Sequence, residues 1–309
     1  MKNITKIIMI MMLFCLSVVV TACEPNEVSI KVYTRDTTSG TRDGFFTGIG
    51  FSDAKEDNSV LVEGYIEVPS NGDMINSVKN DVNGIGYISL SSLTESGLKG
   101  LVYEGVSPSE ENVLNGTYGL TRNFNYCMRS EYTNERSKAI VEAFILYMST
   151  VEGKSTIKEH GGILEIQNTD KSWSVVSNEV TVDDADNSDI TIYVGGSTSV
   201  KSIVSNLLSE FSKKCGNFKY SYNPTGSSDA YKRTNGSEKD GANYCDLAFA
   251  SREFNANESM DSSLKGLMSI DAIVAVVNVK NSLNSISAAD LVKIYNGTYK
   301  NWSEVTLNE

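Results

Sequence analysis

The residues of this chain best suited to chemistry lie in two short turns that are rich in glycine and hydroxyl side chains. The first turn, Arg35 to Arg42, reads Arg-Asp-Thr-Thr-Ser-Gly-Thr-Arg and follows the alternating apolar residues Val28, Ile30 and Val32. Such alternation is typical of a strand. The arginine offers a planar cationic fork, and the N–H groups and hydroxyls of a helix start offer further donors. The pattern predicts half of a binding cleft for a tetrahedral oxyanion.

The second turn, Gly195 to Ser199, reads Gly-Gly-Ser-Thr-Ser and follows the alternating apolar residues Ile190, Ile192 and Val194. The residues after it carry apolar side chains at helical spacing, which predicts an amphipathic helix that starts at this turn. Taken alone, such a turn is usually only a helix cap. Two of them predict two sets of N–H and hydroxyl donors, which together form an oxyanion site.

Charge and composition restrict the function further. The 309 residues carry a formal net charge of −12, which argues against a nucleic-acid partner. An anion must therefore be recognised locally, by N–H groups and one or two arginines. The chain has a single histidine, His160, and no cysteine spacing typical of a metal site. We therefore expect no catalytic residue, no metal and no cofactor.

The N-terminus predicts secretion. Lys2 and Lys6 precede an apolar run over residues 7–20, and small residues precede Cys23. The end of this segment resembles a bacterial lipobox, so we expect residues 1–22 to be a lipoprotein signal peptide and Cys23 to be lipidated. The alternative is a membrane-spanning anchor, although the run is shorter than the ~20 residues that a bilayer needs. Either interpretation places the protein outside the cytoplasm, at the outer face of a bacterial cell membrane.

Three cysteines remain besides Cys23, namely Cys127, Cys215 and Cys245. An odd number in an oxidising compartment leaves their state open. A disulfide between Cys215 and Cys245 and a reduced, buried state are both compatible with the sequence.

Along the chain, short apolar strands alternate with amphipathic helices. This order predicts an α/β fold with mostly parallel sheets, whose ligands bind where strands end and helices begin. Residues 165–189 are polar and acidic, and we expect them to form a connecting segment that could add a short edge strand.

Eight stretches spread over the mature chain resemble the phosphate-binding lipoproteins that serve high-affinity phosphate ABC importers. These lipoproteins are members of the type II periplasmic binding protein group. The resemblance implies a two-lobed fold with the ligand in a cleft between the lobes. The matching stretches are Arg35 to Arg42 and residues 84–88, 151–154, 196–200, 225–228, 246–252, 291–298 and 301–304.

The order of these motifs differs from that of the family. There, the Gly-Ser-Thr turn comes first and the arginine turn follows the Asn-Trp-Ser-Glu stretch, whereas here Arg35 opens the mature chain and residues 301–304 close it. A circular permutation explains this order if residues 165–189 join the family's usual ends. The resemblance then implies lobe I at residues 98–260 and lobe II at residues 24–97 plus 261–309. The alternative is a piece of a tandem array, in which the two halves of the chain need not share a cleft.

The resemblance also implies which residues contact phosphate. One lobe supplies Arg35, Ser39, Gly40 and Thr41, and the other supplies Thr198, Ser199, Ser227 and Asp246, while the turn at Ser197 adds N–H donors.

Asp246 is expected to select for an oxyanion that keeps a proton, because an ionised carboxylate accepts hydrogen bonds but cannot donate them. Phosphate keeps a proton near neutral pH, and sulfate does not. The alternative for Asp246 is an acid at a strand end that binds a neighbouring N–H. We expect Arg42 and Arg252 to brace the loops by pairing with acids.

The function predicted from the resemblance is that of a lipid-anchored, monomeric receptor. It captures inorganic phosphate by lobe closure and delivers it to the transmembrane subunits of an ABC permease. The alternatives are an oxyanion-sensing or adhesion module with no transport role, or a fragment of an array of such domains. A phosphohydrolase is not favoured, because the sequence contains no recognisable activated nucleophile or metal cluster.

Overall fold

The computed structural model describes residues 28–180 and 186–305. The predicted signal peptide, residues 1–22, and the predicted lipidation site Cys23 lie outside these residues. Within the described ranges, no helix combines the length and the apolar character needed to cross a bilayer.

Nine strands of the described residues form one sheet. Its order is β2-β1-β3-β10-β6-β9-β7-β8, with β4 paired to β10, and β11 pairs with β5 in a separate ribbon. The strands are β1 (Lys31–Arg35), β2 (Ile66–Val68), β3 (Gly84–Ser89), β4 (Lys99–Gly100), β5 (Val102–Tyr103), β6 (Thr121–Met128), β7 (Thr191–Gly196), β8 (Lys219–Pro224), β9 (Leu247–Ala250), β10 (Lys265–Val277) and β11 (Ser285–Ile286).

Each half of the sheet contains three parallel strands, β2-β1-β3 in one half and β9-β7-β8 in the other. The long strands β6 and β10 join the halves, and all their pairings are antiparallel. The prediction of parallel α/β units is therefore confirmed within each half, while the middle of the sheet is antiparallel.

The two parallel sets run in opposite directions. The register of the middle strands places their carboxyl ends face to face. On β10, Ile273 pairs with Ser89, the last residue of β3. Leu267 pairs with Asn125 of β6, which in turn pairs with Ala250, the last residue of β9. The carboxyl ends of the two sets therefore face each other across the short stretch of β10 between Leu267 and Ile273. Ligands of parallel α/β sheets bind at such ends.

The helices cover both faces of the sheet. They are α1 (Gly40–Gly48), α2 (Asn71–Lys79), α3 (Leu93–Ser96), α4 (Glu110–Leu114), α5 (Glu135–Met148), α6 (Val151–Glu159), α7 (Trp173–Val176), α8 (Lys201–Lys214), α9 (Ser228–Thr234) and α10 (Ala288–Tyr295). A short 3₁₀ turn, Thr198–Val200, leads from β7 into α8. Because both faces are covered, strands such as β3 are buried along their whole length.

Two large apolar clusters form the main cores. One contains Phe45 and Tyr87, and the other contains Phe144 and Phe211. Side chains from Leu101 to Leu120 pack into the first cluster, although they follow the predicted lobe boundary at residue 98. Leu120, just before β6, and Ile273 of β10 pack in the first cluster, whereas Phe124 and Met268 of the same strands pack in the second. We therefore propose that the lobes divide within these two strands, in place of the predicted boundaries at 98 and 261.

The predicted connecting segment packs against the second cluster. Trp173 in α7 makes edge-on contacts with the rings of Tyr147 and Phe211. Lys154 of α6 pairs with both carboxylate oxygens of Asp170 at 2.7 Å. The described part of this segment, 165–180 and 186–189, contains the helix α7 and no edge strand.

The three described cysteines are reduced and buried. Cys215 lies in the second large cluster, whereas Cys245 lies in a small cluster with Cys127. Of the two states that the sequence allowed, the structure has the reduced, buried one. Burial raises the pKa of the Cys245 thiol to about 11, so this thiol is not reactive at neutral pH.

Gly196, the last residue of β7, provides a test of how the second turn is built. It has φ +97°, and a Cβ there would overlap the backbone carbonyl of Phe249 on the neighbouring strand. We expect Gly196→Ala to reduce the free energy of unfolding by at least about 2 kcal/mol, through strain and overlap together. Gly50 is a matched control, because its φ is +78° and no atom would lie within 4 Å of an added Cβ. Gly50→Ala should cost about 1 kcal/mol; equal losses in urea unfolding would contradict this account.

Candidate oxyanion site

The first turn lies where β1 ends and α1 begins. Ser39 caps α1, because its Oγ accepts hydrogen bonds from the backbone N–H groups of Thr41 and Arg42 at 3.2 and 3.4 Å. A helix start leaves N–H groups unpaired and carries the positive end of the helix dipole. The positive end of α1 therefore lies at the carboxyl end of β1.

Arg35 is the last residue of β1, and only 1% of it is exposed. Its Nε donates to the carbonyl of Val68 at 3.2 Å, and its Nη2 donates to the carbonyl of Pro69 at 2.9 Å. Its Nη1 lies 3.5 Å from Oγ1 of Thr198 in the second turn. Burial lowers the pKa of the Arg35 guanidinium, and the neighbouring Asp36 carboxylate opposes this effect. An arginine nevertheless stays charged in proteins, so Arg35 presents a fixed cation to the second turn.

Three serine hydroxyls form a chain on the other side of the cleft. Ser197 donates to the hydroxyl of Ser251 at 3.0 Å, and the hydroxyls of Ser227 and Ser251 lie 3.0 Å apart. The hydroxyl of Ser197 also accepts the backbone N–H of Ser199 at 3.2 Å. Ser251 is absent from the predicted site residues, although it directly follows the buried strand β9, as Ser197 follows β7. A small polar residue at the end of a buried strand was the signal that could have revealed it.

The two turns touch each other across the cleft. The hydroxyls of Thr41 and Ser199 lie 2.9 Å apart. A Cβ on Gly40 would come within 2.5 Å of Oγ of Ser227 and 2.7 Å of Oγ of Ser251, so a glycine is needed for this approach. One chain therefore supplies both sides of a closed cleft, as the permuted monomer requires. The permuted order of the motifs itself stays a prediction.

The structure brings together eight of the nine predicted contact residues. They are Arg35, Ser39, Gly40, Thr41, Ser197, Thr198, Ser199 and Ser227. A buried guanidinium, a helix start and several hydroxyls can together surround a small oxyanion with donors.

Asp246 is not part of this cluster. It precedes β9, whereas Ser251 follows the same strand, so the two residues lie at opposite ends of it. The carboxylate of Asp246 accepts the backbone N–H of Tyr193 at 2.8 Å and lines a separate cavity of about 290 Å³ with Arg129 and Tyr244. The alternative interpretation, an acid at a strand end that binds a neighbouring N–H, describes the observed contact. We therefore remove Asp246 from the site.

Arg42 and Arg252 brace the loops beside the cleft. The guanidinium of Arg42 is buried and donates to the carbonyls of Ala54 and Arg35 at 2.9 and 2.8 Å. Arg252 forms a two-point ion pair with Glu258 at 2.7 and 2.8 Å. The prediction of pairing with acids is confirmed for both arginines. Arg42 lies 3.7 Å from a carboxylate oxygen of Glu67, in addition to its bonds to carbonyl oxygens.

Comparison with known proteins shows which fold this architecture has. Residues 180–309 match the family model described as a PBP superfamily domain. A crystal structure of the phosphate-binding protein of a phosphate ABC transporter from Streptococcus pneumoniae has a TM-score of 0.64 and 26% identity to this chain. That match covers 90% of this chain and 100% of the other. The chain has the PBP-like fold. The predicted fold class is thereby confirmed.

This PBP-like chain also resembles curated proteins in sequence. It is 28% identical to phosphate-binding protein PstS 2 of Streptococcus pneumoniae over 281 residues, which cover 90% of this chain and 88% of the relative. It is 26% identical to phosphate-binding protein PstS 2 of Streptococcus agalactiae over 282 residues, with the same coverage. The resemblance to phosphate-binding proteins that the motifs predicted is confirmed.

The placement of Asp246 predicts a pH effect on stability. Burial raises the pKa of this carboxyl above its ordinary value of 3.8, and the contacts with Tyr193 and Arg129 only partly oppose the shift. Above pH 3.8 the folded state therefore binds more protons than the unfolded state, so this group's contribution to stability falls as the pH rises. Asp246→Asn keeps an acceptor and removes the charge. In urea unfolding, its stability relative to wild type should increase from about pH 4 to pH 7; a decrease would contradict this assignment.

Proposed function

We propose that this chain is an extracytoplasmic solute-binding protein that captures inorganic phosphate between its lobes and delivers it to an ABC permease. The observation that carries the proposal is the meeting of the two turns, with Arg35 and Thr41 on one side and Thr198 and Ser199 on the other. The names of the similar proteins, which are phosphate-binding proteins, support the choice of ligand.

The chemistry of the cleft favours a small oxyanion. Arg35 supplies a positive charge, and the start of α1 supplies N–H groups at the positive end of its dipole. Contacts as short as the 2.9 Å between Thr41 and Ser199 favour a ligand of a few atoms. Hydroxyls can donate to an anionic oxygen or accept from a protonated one, so the serine chain suits a phosphate that keeps a proton.

The overall charge of the protein agrees with local recognition. At a net charge of −12, the long-range field opposes an incoming anion, although salt screens exposed charges beyond a Debye length of ~10 Å. Binding energy must therefore come from groups within hydrogen-bond distance. Buried donors meet this need, because they remain oriented and are screened less than exposed ones.

The remaining parts of the proposal concern the cellular setting. The protein acts as a monomer, carries a lipid on Cys23 that attaches it to the outer face of the cell membrane, and performs no enzymatic reaction. Delivery to the permease then requires release of phosphate when the lobes open.

Arg35 provides the direct test of phosphate capture. In isothermal titration, the protein without its signal peptide should bind one phosphate per monomer. Arg35→Ala should weaken binding at least about tenfold, because a hydrogen bond to a charged group contributes about 1.5–3 kcal/mol. Asp246→Asn is the matched control and should leave the affinity unchanged, since its carboxylate lies at the other end of β9. Saturable binding of sulfate or molybdate without binding of phosphate would refute the ligand, and a loss in Asp246→Asn equal to that in Arg35→Ala would refute the site.

Lipid attachment is tested separately. Cells that produce the full chain should incorporate labelled palmitate into it, and Cys23→Ala should abolish the label because no other residue is proposed to carry the lipid. Cys127→Ala is the matched control, since Cys127 is buried. Labelling that persists in Cys23→Ala would refute the anchor and leave phosphate binding untouched.

A further inference from the structure

A second arginine, Arg122, lies on β6 in the middle of the sheet, where it pairs with Asp271 of β10. Its Nε and Nη2 donate to the same carboxylate oxygen of Asp271, at 2.9 and 2.7 Å. The hydroxyl of Ser89 donates to the other oxygen of Asp271 at 2.7 Å. The arginine side chain is 3% exposed and that of Asp271 is fully buried. This ion pair lies inside the protein, where a charge is costly unless it is well bonded.

One nitrogen of this guanidinium has no partner. Nη1 of Arg122 is buried and forms no hydrogen bond within the described residues. Because Nε and Nη2 form the edge turned toward Asp271, Nη1 lies on the other side of the group. A buried donor without an acceptor costs about 1–3 kcal/mol, and more when it is charged. The free N–H group would be satisfied by an acceptor in the cleft.

The sheet register places this ion pair where the lobes meet. Arg122 and Asp271 pair with each other on β6 and β10, between the level of Ala250 on one side and that of Ser89 on the other. Because β6 and β9 are antiparallel and Asn125 pairs with Ala250, the preceding residue of β6, Phe124, lies beside Ser251. Arg122 is two positions before Phe124, so the two side chains lie on the same face of the strand.

Helix α1 borders the same space. A Cβ on Gly44 would lie 3.6 Å from Cδ of Arg122, so the arginine runs along this helix. Gly40 is one turn earlier on the same face, next to Ser227 and Ser251. Arg122 therefore lies beside α1, one turn from the point where the helix start meets the serine chain. The positive charge of Arg35 is close enough to lower the pKa of Arg122, although burial is the larger cause.

We infer that Arg122 is a second cationic contact for the bound oxyanion, through Nη1, and that Asp271 and Ser89 are positioning residues that orient it. The inference rests on the proposed function, because it concerns the same cleft. An anion between the guanidinium groups of Arg35 and Arg122 would relieve their repulsion and satisfy the free donor. Two cations favour the dianion of phosphate over the monoanion more strongly than one cation does.

The test replaces the whole ion pair. Arg122→Met with Asp271→Leu substitutes apolar residues of similar size, a change that often preserves folding because no unpaired charge is left behind. In isothermal titration, the double variant should bind phosphate at least about tenfold more weakly than wild type. Between about pH 6 and pH 8 phosphate gains its second charge, so the loss should be larger at pH 8. A loss of equal size at both pH values would overturn the inference, because it would indicate an effect on lobe closure alone.

Two further variants keep the test decisive. Arg122→Lys retains a charge beside Asp271 but removes the second edge of the fork, so it should also bind phosphate more weakly, even if the double variant does not fold. Lys154→Met with Asp170→Leu removes a partly buried pair between α6 and the connecting segment and should bind like wild type. If wild type binds phosphate and both Arg122 variants match it, this inference fails and the proposed function stands. If wild type binds no phosphate, the proposed function itself fails.

Discussion

The binding site depends on one contact between the two halves of the sheet, in which the hydroxyls of Thr41 and Ser199 lie 2.9 Å apart. Thr41 follows β1, and Ser199 follows β7, in opposite halves of the sheet. Their contact requires the carboxyl ends of two oppositely directed parallel sets to face each other. The long antiparallel strands β6 and β10 create this arrangement, because each parallel set pairs with a different part of them. Sheet order and binding site are thus consequences of one pairing pattern.

Burial gives the site its electrostatic character. Arg35 and Arg122 are both buried in a protein whose net charge is −12. The Arg35 guanidinium is held by backbone carbonyls, and the Arg122 guanidinium is held by the carboxylate of Asp271. Such partners reduce the cost of removing a charge from water and fix its direction. The cations therefore act at short range, where the protein's overall negative field matters least.

Close packing also limits which residues can border the cleft. Gly40 and Gly44 lie one turn apart on α1; a Cβ on Gly40 would meet Ser227 and Ser251, and a Cβ on Gly44 would meet Ile273. The helix can lie this close only because both positions lack side chains. The backbone N–H groups of α1 can then reach the space where the serine chain and Arg122 converge.

Much of the fold followed from local patterns. Apolar spacing over residues 137–148 indicates a helix, which is part of α5. The apolar run at residues 84–88 indicates a buried strand, which is β3. The helix within the predicted connecting segment could not be predicted from apolar spacing. Its helix α7 has only four residues, and the packing of Trp173 against Tyr147 and Phe211 stabilises it. Tertiary contacts of this kind leave little trace in local periodicity.

The sequence by itself determined the chemistry of the two turns, because an arginine, glycines and hydroxyls at the junction of a strand and a helix present the same donors in any α/β fold. Only the tertiary structure decided which residues share the cleft. Asp246 and Ser251 flank the same short strand, yet only Ser251 reaches the site, because only the carboxyl end of β9 faces the other lobe. Arg122 and Asp271 are 149 positions apart. Strand pairing brings such distant residues together, and local sequence does not encode that register.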